Sequence, residues 1–120
     1  MTLALLAGCG RSDSQTTVTA DPGPLVWTKD SKLTAGQYLA EVKRIGQEPR
    51  FALTGEILSA DVERKIMIVT HDEIPGYMPE MTMEFLVAKA DAQNAKPGQR
   101  IRAEMVERKG EYYLEKIWPD

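Results

Sequence analysis

Apolar positions follow two different periods along the chain, and the change comes near residue 50. Before it, Tyr38, Leu39, Val42 and Ile45 recur at the spacing that lines side chains along one face of an α-helix. Thr34 suits an N-cap with Gln37 three residues on, a capping box, and Leu33 and Tyr38 stand where a hydrophobic staple would form. Gly46 suits the position after the last turn, and Pro49 forbids continuation. The spacing predicts a helix over 34–46 whose stripe packs against the segment that follows.

After residue 50 the pattern is that of strands. Phe51 to Ser59 reads as a first strand, with Gly55 marking a bulge or bend. Asp61 to Arg64 is a polar turn, and Lys65 to His71 a second strand rich in branched residues. Pro75, Gly76 and Pro79 make 72–80 a loop, and Met81 to Ala88 is a third strand. Residues 91–99 form a loop with room for a helical turn, closing at Lys96-Pro97-Gly98. Arg100 to Arg108 and Glu111 to Ile117 form a hairpin around Lys109-Gly110. Five short strands without a βαβ rhythm predict an all-β class, a small closed barrel of the OB type spanning 47–120. Trp118, at the end of the last strand, is read as packing; Trp27 is given no place.

Upstream of the helix, Ser, Thr, Asp, Gly and Pro dominate 10–24, too polar to bury enough surface to offset ordering entropy. Residues 9–33 are therefore read as a flexible tether, in which Leu25, Val26 and Trp27 either dock on the domain or do nothing. The first ten residues end an apolar run in Leu6-Ala7-Gly8-Cys9, which resembles the bacterial lipobox. That resemblance implies cleavage before Cys9, lipidation of its sulfur and new amino group, and a mature protein on the outer side of a bacterial membrane. No base precedes the run, so 1–8 is expected to be part of a longer signal segment.

Composition narrows the functions. The chain has 120 residues, 42% hydrophobic and 28% charged, which is room for one ordinary domain. Its formal net charge of -3 gives no support to a protein that tracks nucleic-acid phosphates. The longest apolar run, Leu3 to Ala7, is far short of the ~20 residues of a membrane span. A single cysteine excludes an internal disulfide and a multi-cysteine zinc site. A single histidine, His71, with no serine and acid grouped around it, leads to the expectation that the protein is not an enzyme.

The candidate chemistry is concentrated in one segment. From Ile66 to Ala88 there is no Lys or Arg, while Asp72, Glu73, Glu80 and Glu84 make a negative field that favours a cation. Met67, Met78, Met81 and Met83, four of the six methionines, lie there too. Met81 and Met83 are two apart on a strand, so both thioethers leave the same face. A hairpin-like return of the loop sets His71 beside them. Imidazole and neutral thioethers select soft Cu(I) or Ag(I) over zinc, calcium or magnesium. Outside the cytoplasm thioethers also escape the disulfide formation open to thiols. A methionine pair at this spacing is equally an ordinary core filler, and periodicity leaves both readings open.

His71-Asp72, a short proline-containing loop, and Pro79-Glu80-Met81-Thr82-Met83-Glu84-Phe85 together resemble the signature of the CusF-like periplasmic copper- and silver-binding proteins. The resemblance runs from Thr54 to Ile117 and takes in Gly55-Glu56-Ile57, Lys96-Pro97-Gly98 and the closing hairpin. It implies a five-stranded OB-type barrel that binds Cu(I) or Ag(I) through His71, Met81 and Met83 and passes the ion to a partner. The family's best-known members place a tryptophan directly before the Pro-Glu-Met-Thr-Met run, capping the metal by a cation–π contact. Here that residue is Met78, and the loop after His71 is one residue shorter. Three arrangements follow: Met78 as a third thioether ligand, which is favoured; Tyr77 as an aromatic cap; or an open site.

The expected function is an extracytoplasmic metallochaperone or buffer for Cu(I) or Ag(I), lipid-anchored at Cys9 in the periplasm or cell envelope. It would deliver metal to an efflux system or a copper enzyme. The competing reading is a structural envelope lipoprotein whose methionines are only core. A barrel groove for oligonucleotide or oligosaccharide is disfavoured, because such grooves need bases interleaved with aromatics.

Overall fold

The capping box forms as the sequence directs. In the structure, a computed structural model that describes residues 24–120, helix α1 spans Ala35–Arg44. The Thr34 hydroxyl accepts from the Gln37 amide at 3.1 Å, and the Gln37 side chain accepts from the Thr34 amide at 2.9 Å. Ala35, Tyr38 and Val42 are buried. The helix is shorter than 34–46, because Ile45 is already its C-cap and Gly46 turns the chain away at φ 75°. Ile45 is therefore exposed. Leu33 is exposed as well, so the staple is not made; its carbonyl instead accepts the Trp27 indole N–H at 2.9 Å.

Five strands follow: β1 (Arg50–Asp61), β2 (Ile66–His71), β3 (Met81–Leu86), β4 (Arg100–Arg108) and β5 (Glu111–Pro119). A six-residue helix α2 (Lys89–Asn94) joins β3 to β4. The strands close in the order β1-β2-β3-β5-β4, the OB-type arrangement predicted from the pattern. Every pairing is antiparallel except β3–β5, which consists of one parallel bridge, Leu86 to Tyr113. Alternation puts Phe51, Leu53 and Ile57 of β1, Met67 and Val69 of β2 and Phe85 of β3 into one core.

Several boundaries differ from the sequence reading. Lys65 has φ 57° and belongs to the turn, so β2 begins at Ile66. The third strand stops at Leu86, because Ala88 becomes the N-cap of α2. The bulge of β1 lies at Leu58, where the register with β2 jumps between Ile57 and Ser59, and not at Gly55. Gly55 answers a different need: a Cβ there would lie 2.6 Å from the Thr70 carbonyl oxygen and 2.9 Å from the His71 Cα. Only glycine lets β1 pass so close to the end of β2.

Trp118 reverses expectation, and Trp27, given no place by the sequence, finds one. Trp118 is 60% exposed rather than packed, since it pairs with Arg102 on the outer wall of the barrel. Trp27 is 4% exposed and bridges to Phe51, its amide donating to the Arg50 carbonyl at 2.9 Å. With the Leu25 carbonyl accepting from the Tyr38 hydroxyl at 2.6 Å, the chain is fixed to the domain from Leu25, within the stretch read as tether. Cys9 and residues 1–23 lie outside the described residues.

Candidate metal centre

The end of the barrel where β1 begins, β2 ends and β3 begins carries the base-free segment. Cross-strand register there pairs His71 with Met81, Thr70 with Thr82, Val69 with Met83 and Met67 with Phe85. Directly opposed residues share a face of an antiparallel pair. His71, Val69 and Met67 of β2 therefore face the barrel interior together with Met81, Met83 and Phe85 of β3. Thr70 and Thr82 face outward, their hydroxyls 2.8 Å apart. The alternation read from sequence thus brings His71, Met81 and Met83 onto one inward face at one rim.

Exposure along that face is graded. His71 is fully buried, Met83 half-buried and Met81 41% exposed. Phe85 meets the imidazole edge-on with ring centres 6.2 Å apart. The His71 Nδ1 lies 2.8 Å from the Asp72 carbonyl oxygen. A carbonyl only accepts, so Nδ1 donates and Nε2 is the ring nitrogen open to a further bond. That Nε2 is buried and has no hydrogen-bond partner among the described residues. An unpaired buried acceptor costs about 1–3 kcal/mol, and folded proteins rarely tolerate one without a use for it. An Nε2 with a carbonyl on the opposite nitrogen, on the same strand-pair face as two thioethers, suits a soft monovalent ion.

Asp72 is held from its other side. Its amide donates to the Thr54 carbonyl at 2.8 Å, and its carboxylate accepts from the Thr54 hydroxyl and from Arg100 at 2.7 Å. The Arg100 guanidinium, then the Thr54 hydroxyl, holds the Asp72 carboxyl below its usual range. The acid is thereby committed to fixing the carbonyl that orients His71. Among the described residues, no three His, Cys, Asp or Glu side chains cluster to hold a metal, so a zinc- or calcium-type cage is not built there.

The loop over this end is a tight turn. Ile74 and Met78 form an isolated antiparallel bridge, and the Tyr77 amide donates to the Ile74 carbonyl at 2.9 Å. Pro75 and Gly76 occupy the two central positions, Gly76 at φ 77°, as a type II turn requires. Bridge partners share a side, so Met78 leans with buried Ile74 toward the barrel and is half-buried against the core. Tyr77 stacks on Phe51 with ring centres 4.2 Å apart and interplanar angle 7°, and its hydroxyl donates to Glu107 at 3.3 Å. Burial pushes that hydroxyl well above the usual tyrosine range, keeping it a proton donor. Trp27 and Tyr38 complete the cluster around Phe51, at 5.8 and 5.3 Å. Tyr77 is thus held within the aromatic plug of this end. A groove of about 390 Å³ on the outer wall, between Trp118 and Asp72, borders this region but is lined by none of His71, Met81 and Met83.

A family model described as copper binding periplasmic protein CusF matches residues 50–119. The chain belongs to the CusF family of periplasmic copper-binding proteins. Among solved structures it resembles Ag(I)-bound CusF from Escherichia coli, at 26% identity and TM-score 0.55, covering 63% of this chain and 98% of that one. Apo-CusF from the same organism gives TM-score 0.54 at 26% identity, covering 62% and 90%. The C-terminal domain of SilB from Cupriavidus metallidurans gives 0.51 at 28% identity, covering 60% and 89%. Among curated sequences no relative matches.

Sequence reasoning named Gly55 and Asp72 but did not give either its part in shaping the site. A glycine inside a strand was a visible sign of close approach, but what it approaches depends on strand order. Asp72 acts through its main chain, which no side-chain motif reports.

Proposed function

We propose that this CusF-family member binds Cu(I) or Ag(I) through His71 Nε2, Met81 and Met83, with Met78 as a fourth donor in place of the capping tryptophan. The observation that carries the reading is the buried, unpartnered Nε2 on the same inward face as two thioethers. The silver-bound relatives support the choice of ion. The ion is cargo. Half-exposed Met81 meets it first, Met83 and the imidazole take it inward, and reversal of the same steps releases it. The protein acts as a carrier or buffer that hands metal to an efflux system or a copper enzyme, without catalysis of its own. It is held at the membrane by a lipid on Cys9.

Anaerobic titration of a form starting after Cys9 with Ag(I), followed by NMR of methionine methyls and the imidazole, tests the site. Shifts at Met81, Met83 and His71 that saturate together at a single equivalent are expected, with Met78 moving in step. Absence of a saturable shift defeats the metal reading; a silent Met78 defeats its place in the site. For the anchor, mass spectrometry of the membrane fraction should find acyl chains on the wild-type chain and none on Cys9→Ser.

A further inference from the structure

The barrel closes unevenly at β3. The Val87 amide donates to the Lys65 carbonyl at 3.0 Å, and residues 65 and 87 stand opposite each other in the β2–β3 register. They are thus a hydrogen-bonded pair, and so are the pairs at every second rung: Met67 with Phe85, Val69 with Met83, His71 with Met81. The main-chain groups of Met81, Met83 and Phe85 consequently point at β2, while those of Thr82, Glu84 and Leu86 point away from it. On that outer side β5 meets β3 only at Leu86. The amides and carbonyls of Thr82 and Glu84 have no strand beside them. In place of a strand there is a cleft of about 310 Å³ between Glu84 to Leu86 and the β4–β5 turn at Gly110 to Tyr112.

Acids lie closest to this edge, with Lys109 the base of the neighbouring β4–β5 turn. Glu80 and Glu84 flank it, Glu111 lines the cleft, and none of the three has an ion-pair partner among the described residues. An open edge of this kind is a template for an extended segment of another protein. Its charge selects a basic one.

We infer that the open edge of β3, at Thr82 and Glu84, is a docking site where a basic, extended segment of a metal-exchanging partner protein adds as a strand. The assignment deepens the carrier reading and rests on it for the partner's purpose. A strand added there lies beside the one that carries Met81, the most exposed of the expected ligands. An inward-facing thioether of the added strand, level with Met81, would form a bond to the ion as the bond to the Met81 sulfur breaks. The exchange leaves the oxidation state of the metal unchanged and moves no proton. Main-chain hydrogen bonds would supply affinity, and lysine or arginine on the outward positions would meet Glu80, Glu84 and Glu111.

The test uses the metal-free protein and a short, end-capped peptide of alternating lysine and valine. Amide NMR shifts should concentrate at Thr82 and Glu84. The dissociation constant should rise at least about tenfold, about 1.4 kcal/mol, for the same peptide N-methylated on its lysines and valines in alternate registers. Thr82→Pro removes the outward amide without touching the β2 ladder and should weaken binding similarly, while Thr82→Val, which keeps the amide, should not. No binding, shifts centred elsewhere, or equal binding by the N-methylated peptide each overturns the assignment. Silver titration of Thr82→Val separates the two claims. Ag(I) binding with no peptide docking sinks the edge alone, and peptide docking with no Ag(I) binding sinks the carrier reading alone. A variant that fails to fold leaves the N-methylated peptide to decide.

Discussion

Two rungs of the same strand pair put the same residue type to different uses. Met67, opposite Phe85, is 1% exposed and surrounded by core. Met81, opposite His71, leaves the same face of the same ladder and is 41% exposed. Nothing in the side chain distinguishes them; the closure of the barrel does. Where neighbouring strands and the aromatic core surround the thioether it is a flexible filler, and where the wall opens at the rim it stands exposed opposite an imidazole, free for the donor role proposed for it. A methionine in this fold is read by its height along the barrel rather than by its spacing.

Substitutions can break that contrast. The largest effect is expected at the filled level: Met105→Ala, at a fully buried position, should cost about 2–5 kcal/mol in denaturant unfolding. Its affinity for Ag(I), measured by competition titration under conditions where it is folded, should stay within a few-fold of the parent. Met81→Leu with Met83→Leu should do the reverse. Binding of Ag(I) should fall by at least about a hundredfold, about 3 kcal/mol, while thermal stability shifts by less than ~1.5 kcal/mol, because the swap conserves volume. A double variant that binds normally would place the thioethers with Met67, as packing.

Gly55→Ala sharpens the comparison from the backbone side. The added methyl must displace the Thr70 carbonyl and the start of His71, at an expected cost of about 1–3 kcal/mol in chemical denaturation. Asp72→Ala leaves the barrel wall in place but releases the carbonyl that orients His71. Ag(I) affinity should drop about tenfold, within the range seen for outer-shell partners of metal ligands. Trp118→Ala should change stability by less than about 0.5 kcal/mol, as expected for an exposed residue on the outer wall. A large loss there would mean that the outer groove bears on the fold.

Much of this arrangement was legible in the residues. The capping box needs only Thr34 and Gln37, and strand alternation places Met81 with Met83, because both are contacts between near neighbours in sequence. The loop return put His71 beside them and thioether softness indicated the metal; the resemblance weighed these against plain core packing. What could not be read depends on elements far apart in the chain. Trp27 and Trp118 are the same residue in similarly polar settings, yet one bridges to Phe51 and the other flanks Arg102 outside. Burial of His71 follows from β1 crossing at Gly55, 16 residues upstream. The positions of Met78 and Tyr77 were left open because the direction of a loop side chain is set by its turn, here by the Ile74–Met78 bridge.

That bridge has a consequence for how such chains tolerate insertions and deletions. The Ile74–Met78 turn closes on itself, while the register of Met81 to Leu86 is fixed by the ladder with β2. Residues lost or gained between Asp72 and Pro79 are absorbed before the ladder begins, which fits a loop one residue shorter than in the best-known relatives. A single residue inserted between Thr82 and Met83 has no such refuge: it would turn one thioether to the outside while the other stayed within. A change of length before Pro79 leaves the Met81 to Leu86 ladder in register, and one after it does not.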